Sequence, residues 1–150
     1  MAIFKLLHIL SIVIWVGGMF FAYAVLRPSA AEILQPPERL KLWDKVFSRF
    51  FNWVWLAVIL VLASGIYMIL LYGGMALVPR YIHVMLLLGI VMMLIFGHVY
   101  FSGYKKLGHM VLAQEWQKAG AMLAQIRKLV AVNLSLGLLT IAVAILGKMA

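Results

Sequence analysis

Three of the four histidines, His8, His83 and His98, sit inside long apolar runs, where an ionisable side chain is costly and usually reflects a site. His8 lies about five residues inside the first run and His83 about three residues inside the third. At ~1.5 Å per residue the two imidazoles are within about a turn of the same depth, provided that both helices start from the same face. Two imidazoles at one level on non-adjacent helices of a bundle are the arrangement that grips a b-type haem edge-on, with iron between the two nitrogens. His8 and His83 are therefore the expected haem or metal ligands.

Neighbouring residues fit that reading. Arg80, one turn before His83, and Lys5, one turn before His8, could each pair with a haem propionate or else anchor a helix end at the headgroups. Trp15, Gly17 and Gly18 follow His8 within about three turns. Glycine there permits close approach either by a planar cofactor or by another helix. His98 stands 15 residues beyond His83, ~22 Å further along and about 60° around a helix. It lacks a histidine partner at matching depth, so it could hold a second, five-coordinate haem, bond a quinone carbonyl, or donate to a neighbouring helix. His109 follows Gly108 outside the apolar core and reads as a solvated loop residue.

The elements that must position these groups are membrane spans. The chain has 150 residues, 67% of them hydrophobic and 11% charged, with a mean hydropathy of +1.10. Runs at about Phe4 to Leu26, Phe51 to Tyr72, Tyr81 to Tyr104 and Leu129 to Gly147 each approach the roughly 20 residues needed to cross the hydrocarbon. They are continuously apolar, without the alternation of barrel strands. The expected fold is all-α: one domain over residues 1–150, an integral membrane four-helix up-down bundle. Lys5 before an apolar stretch and Ala22-Tyr23-Ala24 could pass for a secretory signal with its cleavage site, but the run is longer than a signal core, and retention is expected.

Ten basic residues (Arg27, Arg39, Lys41, Lys45, Arg49, Lys105, Lys106, Lys118, Arg127 and Lys128) fall in the first and third connections, against Lys5, Arg80 and Lys148 opposite. The positive-inside rule then predicts a multi-pass protein of a bacterial inner membrane with both termini periplasmic. The net charge of +9 is thus mostly a topology signal, with the lipid bilayer as partner and no nucleic acid.

Connections are expected to be short. Pro36-Pro37 start a segment with Leu40, Trp43, Val46 and Phe47 at helical spacing, which reads as a short amphipathic helix at the cytoplasmic interface. Lys105 to Lys128 is expected to hold a continuation of helix three, a break near Gly108 and a second interfacial helix. Gly73-Gly74 through Pro79 make a tight outer loop, which makes helices two and three antiparallel neighbours and puts helices one and three across the bundle.

Composition excludes several chemistries. Cysteine is absent, so disulfides and thiolate ligands are excluded. Glu32, Glu38, Asp44 and Glu115 all lie in the basic connections, leaving no intramembrane acid for a proton relay and no paired carboxylates for hydrolysis. The ten methionines invite a Cu(I) reading, but they are scattered rather than regularly spaced.

Lys5-Leu6-Leu7-His8-Ile9 with Trp15-Val16-Gly17-Gly18-Met19-Phe20 resembles the first helix of copper-resistance D (CopD-like) membrane domains. Tyr81-Ile82-His83 with Gly97-His98 resembles the third helix shared by that group and the HemJ-type protoporphyrinogen oxidases. The oxidase resemblance implies a haem-associated bundle with His8 as ligand and oxidation of a porphyrinogen; Met85 stands where that family usually has lysine. The expected function is a haem b-binding, cytochrome b-like membrane redox protein with one haem at His8 and His83, or two if His98 holds another. A quinone or redox protein is the candidate partner, and a second copy of the chain a further one. The alternatives are copper binding or transport through His8, His83 and His98, and protoporphyrinogen IX oxidase-like catalysis.

Overall fold

Four long helices account for nearly all of the computed structural model, which describes residues 1–150: α1 (Ala2–Ile33), α2 (Pro36–Leu71), α3 (Arg80–Leu112) and α4 (Trp116–Met149). At 32 to 36 residues, each is longer than the roughly 20 that the hydrocarbon requires. The excess lies at the end carrying most of the lysines and arginines, here called the basic end. The other end holds the chain termini and the glycine loop.

The amphipathic segment after Pro36 is not a separate interfacial helix. Both prolines sit in the first turn of α2, where their missing N–H groups cost nothing, and no glycine or proline interrupts the chain between Phe47 and Phe51. The helix therefore runs unbroken into the second span. Likewise α3 passes Gly108 and stops only at Ala113–Glu115, where Gln114 takes a left-handed φ of 57°. A single glycine costs a helix only about 1 kcal/mol, which the packing around buried Leu107 offsets. The expected second interfacial helix is the first part of α4.

Proline inside α1 is accommodated by a wider turn. Phe21–Leu26 form a π-helical stretch in which the Arg27 N–H donates to the Ala22 carbonyl, just before Pro28. Widening the ladder there removes the collision that a proline ring makes with the carbonyl one turn back. A second π-helical stretch, Val99–Tyr104, follows His98 in α3 and packs buried Gly103 against Ile126. At the opposite end Gly73 and Gly74 have φ of +99° and +100°, a conformation open to glycine at no steric cost.

Pairing along the bundle is α1 with α2 and α3 with α4, while α4 also touches α1 and α2. The expected neighbours α2 and α3 meet mainly toward the basic end. There Phe47 and Phe51 stack at 4.9 Å, and Phe51 meets Phe96 and Tyr104 edge-on at 5.5 and 5.4 Å. Such offset and edge-to-face contacts stabilise aromatic clusters beyond their burial alone.

Only 25 of the 150 residues are buried. The exposed set includes Ile3, Leu6, Ile9, Leu10, Val13, Leu87 and Leu94, which in water would drive aggregation and in lipid tails costs nothing. The protein is an all-helical, four-span membrane bundle. Because it has no cysteine, its orientation is directly measurable: Ala76→Cys in the glycine loop is expected to react with an impermeant maleimide in intact cells, and Ala113→Cys only after lysis. The reverse pattern would invert the assignment from the charge bias.

One carboxyl at the basic end is out of balance. Burial raises the pKa of Asp44 above its ordinary 3.8, and Lys45 only partly counters this. Its folded form thus holds a proton more tightly than its unfolded form. Stability contributed by protonation is gained as pH falls through the folded pKa and levels off below the unfolded value. Asp44→Asn is expected to raise the melting temperature slightly at neutral pH and to flatten its acid dependence, measured by circular dichroism between pH 7 and 4. The effect is small because the side chain is only partly buried.

Candidate metal centre

His8 is half-buried and turned toward α2. The Ser64 hydroxyl donates back to the Leu60 carbonyl one turn earlier, so its oxygen is free to accept. His8 Nδ1–H donates to that oxygen at 2.9 Å. With the Ser64 proton committed to Leu60, Nδ1 is the protonated nitrogen of the neutral ring and Nε2 is left with the lone pair. Gly65 makes room for the ring, since a Cβ there would lie 3.3 Å from His8 Cε1. Ser64 and Gly65 are thus part of the histidine's setting, which the sequence reading missed. The available signal was a hydroxyl beside a glycine in an otherwise apolar run, level with His8 once α1 and α2 are paired.

His83 is exposed near the start of α3. Its Nδ1–H donates to the Pro79 carbonyl at 3.3 Å, a contact within its own first turn. Here too Nε2 is left with the lone pair. No contact joins the His8 and His83 rings: one lies on α2 and the other faces outward, because α1 pairs with α2 and α3 with α4 at this end of the bundle.

Arg80 and Lys5 are exposed and in no ion pair. Trp15 is buried and meets Phe96 edge-on at 6.3 Å. Gly18 is packed by Phe50, whose ring a Cβ would overlap, whereas Gly17 has nothing within 4 Å of the same position. Helix packing therefore accounts for Gly18, and Gly17 faces open space. His98 and His109 are both exposed. No three His, Cys, Asp or Glu side chains gather into a metal cage.

The two principal cavities of the bundle have no histidine in their walls. One of about 30 Å³ sits between Trp15, Phe51, Phe96 and Asn133, and the other, of about 300 Å³, opens at the basic end. Asn133 is buried and its Oδ1 has no partner, a state that an ordered water in the small cavity would relieve.

The family model described as Copper resistance protein D matches residues 44–146. The chain belongs to that family. The matched span holds Ser64, His83, His98 and His109, while His8 precedes it. No curated protein and no solved structure matches the chain. CopD membership points to a copper-related function at the membrane.

Proposed function

We propose that this CopD protein binds copper as Cu(I) at the glycine-loop end of the bundle and carries it across a bacterial inner membrane, with both termini on the periplasmic side. The observation that carries the reading is the orientation of His8. A ring nitrogen held by a second group, with the other lone pair free, is how metal-ligating histidines are commonly prepared. His83 offers a second such Nε2 at the same end. Imidazole and methionine thioether are the donors that the spans contain, and they suit copper, whereas the hard carboxylates preferred by magnesium or calcium lie outside the spans.

A cytochrome b role would use the same two Nε2 atoms but needs the rings to face each other. His8 would have to leave Ser64 and turn from α2 toward α3. Porphyrinogen oxidation rests on the same haem, and quinone binding at His98 gains nothing from the geometry, since that side chain is exposed and lines neither principal cavity.

The deciding experiment is anaerobic loading of the detergent-purified full chain with Cu(I), followed by dialysis against a Cu(I) chelator. The expected result is a colourless protein retaining copper, with nitrogen and sulfur scatterers by X-ray absorption. A red preparation whose dithionite-reduced spectrum has sharp b-type bands, lost in His8→Ala and His83→Ala, would replace the copper reading with the haem one. A protein that retains neither would end both.

A further inference from the structure

The cavity of about 300 Å³ at the basic end is walled by Arg27, Arg39 and Arg127 together with Tyr23, Trp43 and Trp116. That volume is at the lower end of ligand sites. No carboxylate lines it, and none of the three arginines is in an ion pair: the two ion pairs present are Lys41 with Glu38 and Lys118 with Glu115. Three like charges around one hollow repel each other, so an anion is the natural occupant.

Arg27 is held in place for this. Its Nε donates to the Tyr23 carbonyl at 3.1 Å and its guanidinium lies 4.5 Å from the centre of the Tyr23 ring, which leaves the terminal nitrogens to reach a ligand. Guanidinium donors match phosphate oxygens two at a time.

The walls also change character along the bundle. Ala22 and Val130 belong to the apolar spans, whereas Arg39 and Trp116 belong to the helical extensions beyond them. The hollow therefore straddles the level where hydrocarbon gives way to headgroups. A soluble phosphate would use only the charged half.

We infer that this three-arginine cavity binds the phosphate headgroup of an anionic phospholipid from the surrounding leaflet, with the first part of its acyl chains along the apolar wall. The site is independent of the copper reading. Basic pockets between membrane helices are suited to such lipids, and each basic residue near an anionic surface favours them about fivefold.

The test is native mass spectrometry of the full chain from micelles containing equal phosphatidylglycerol and phosphatidylcholine. Melting temperatures are read in parallel with each lipid and with inorganic phosphate. The expected result is one retained phosphatidylglycerol per chain, preferred on the order of tenfold to a hundredfold, and a thermal shift that inorganic phosphate does not reproduce. Arg27→Gln/Arg39→Gln/Arg127→Gln is expected to bring the preference close to one. Because that variant also changes the charge bias that directs insertion, Ala124→Trp is the second probe: it fills the cavity, keeps every charge, and should equally lose the retained lipid.

Equal retention of both lipids by the wild-type protein would overturn the proposal. So would an equal shift with inorganic phosphate, which would make the hollow a soluble-anion site, or phosphatidylglycerol retention undiminished in Ala124→Trp.

Discussion

His8→Ala is expected to abolish copper retention by the purified protein while leaving its helical circular dichroism unchanged. The ring's polar contacts are with Ser64 and the Val61 backbone on α2, and it is only partly buried, so its removal costs little packing. Without it the glycine-loop half of α1 has no donor softer than a hydroxyl or carbonyl. Ser64→Ala tests the arrangement rather than the ligand. It leaves the imidazole in place but removes the acceptor that fixes its tautomer and direction, and loss of such a supporting group typically weakens metal binding about 10- to 100-fold. Gly65→Ala places a Cβ 3.3 Å from His8 Cε1, so the ring must shift by a few tenths of an ångström and a smaller loss is expected. His109→Ala, exposed at the basic end, serves as the control. Competition against a Cu(I) chelator ranks the four variants, and wild-type affinity in His8→Ala would remove the assignment of the ligand.

Much of the fold was legible because hydrocarbon imposes a single requirement on any chain that crosses it. Backbone groups must be satisfied within the segment, so four apolar runs of sufficient length are four helices. What was not legible was which helix each faces. Loop length suggested α2 beside α3, yet Gly137 and Gly147 let α4 come close against α3 through Met92 and Tyr81, and α1 packs on α2. Those pairings decide the site. Depth alone set His8 level with His83, but depth carries no information on the direction of a side chain around its helix, and Ser64 on α2 supplied the acceptor that settled it. The interfacial helices failed for a related reason. An amphipathic stretch beyond the membrane reads as lying in the interface, but the same pattern suits a straight extension when its apolar stripe packs on other helices. Trp43, Phe47 and Leu107 are buried in that way.

Gly137→Leu is expected to destabilise the bundle by about 1–3 kcal/mol, and Gly17→Leu to leave it unchanged or slightly more stable. Helices in lipid gain little from hiding apolar surface, so their association rests on close packing and is most sensitive where the packing is tightest. A Cβ at position 137 would lie 2.9 Å from Val16 Cγ2 and 3.1 Å from Met92 Cε. Val16 is buried and β-branched, so its side chain has little freedom to move aside, and α4 must back away from both α1 and α3. At Gly17 nothing lies within 4 Å, and replacing glycine by leucine in a helix recovers up to about 0.8 kcal/mol of propensity. Thermal unfolding in detergent separates the two. For a chain of this size each kcal/mol moves the melting temperature by about 2–4 °C, and equal shifts for both variants would refute the packing account. The same pair also separates lipid from ligand at Gly17. Full copper retention in Gly17→Leu means the open space there is occupied by acyl chains. Loss of retention without loss of stability means that a bound group lies against that face of α1, which the His8 reading alone does not require.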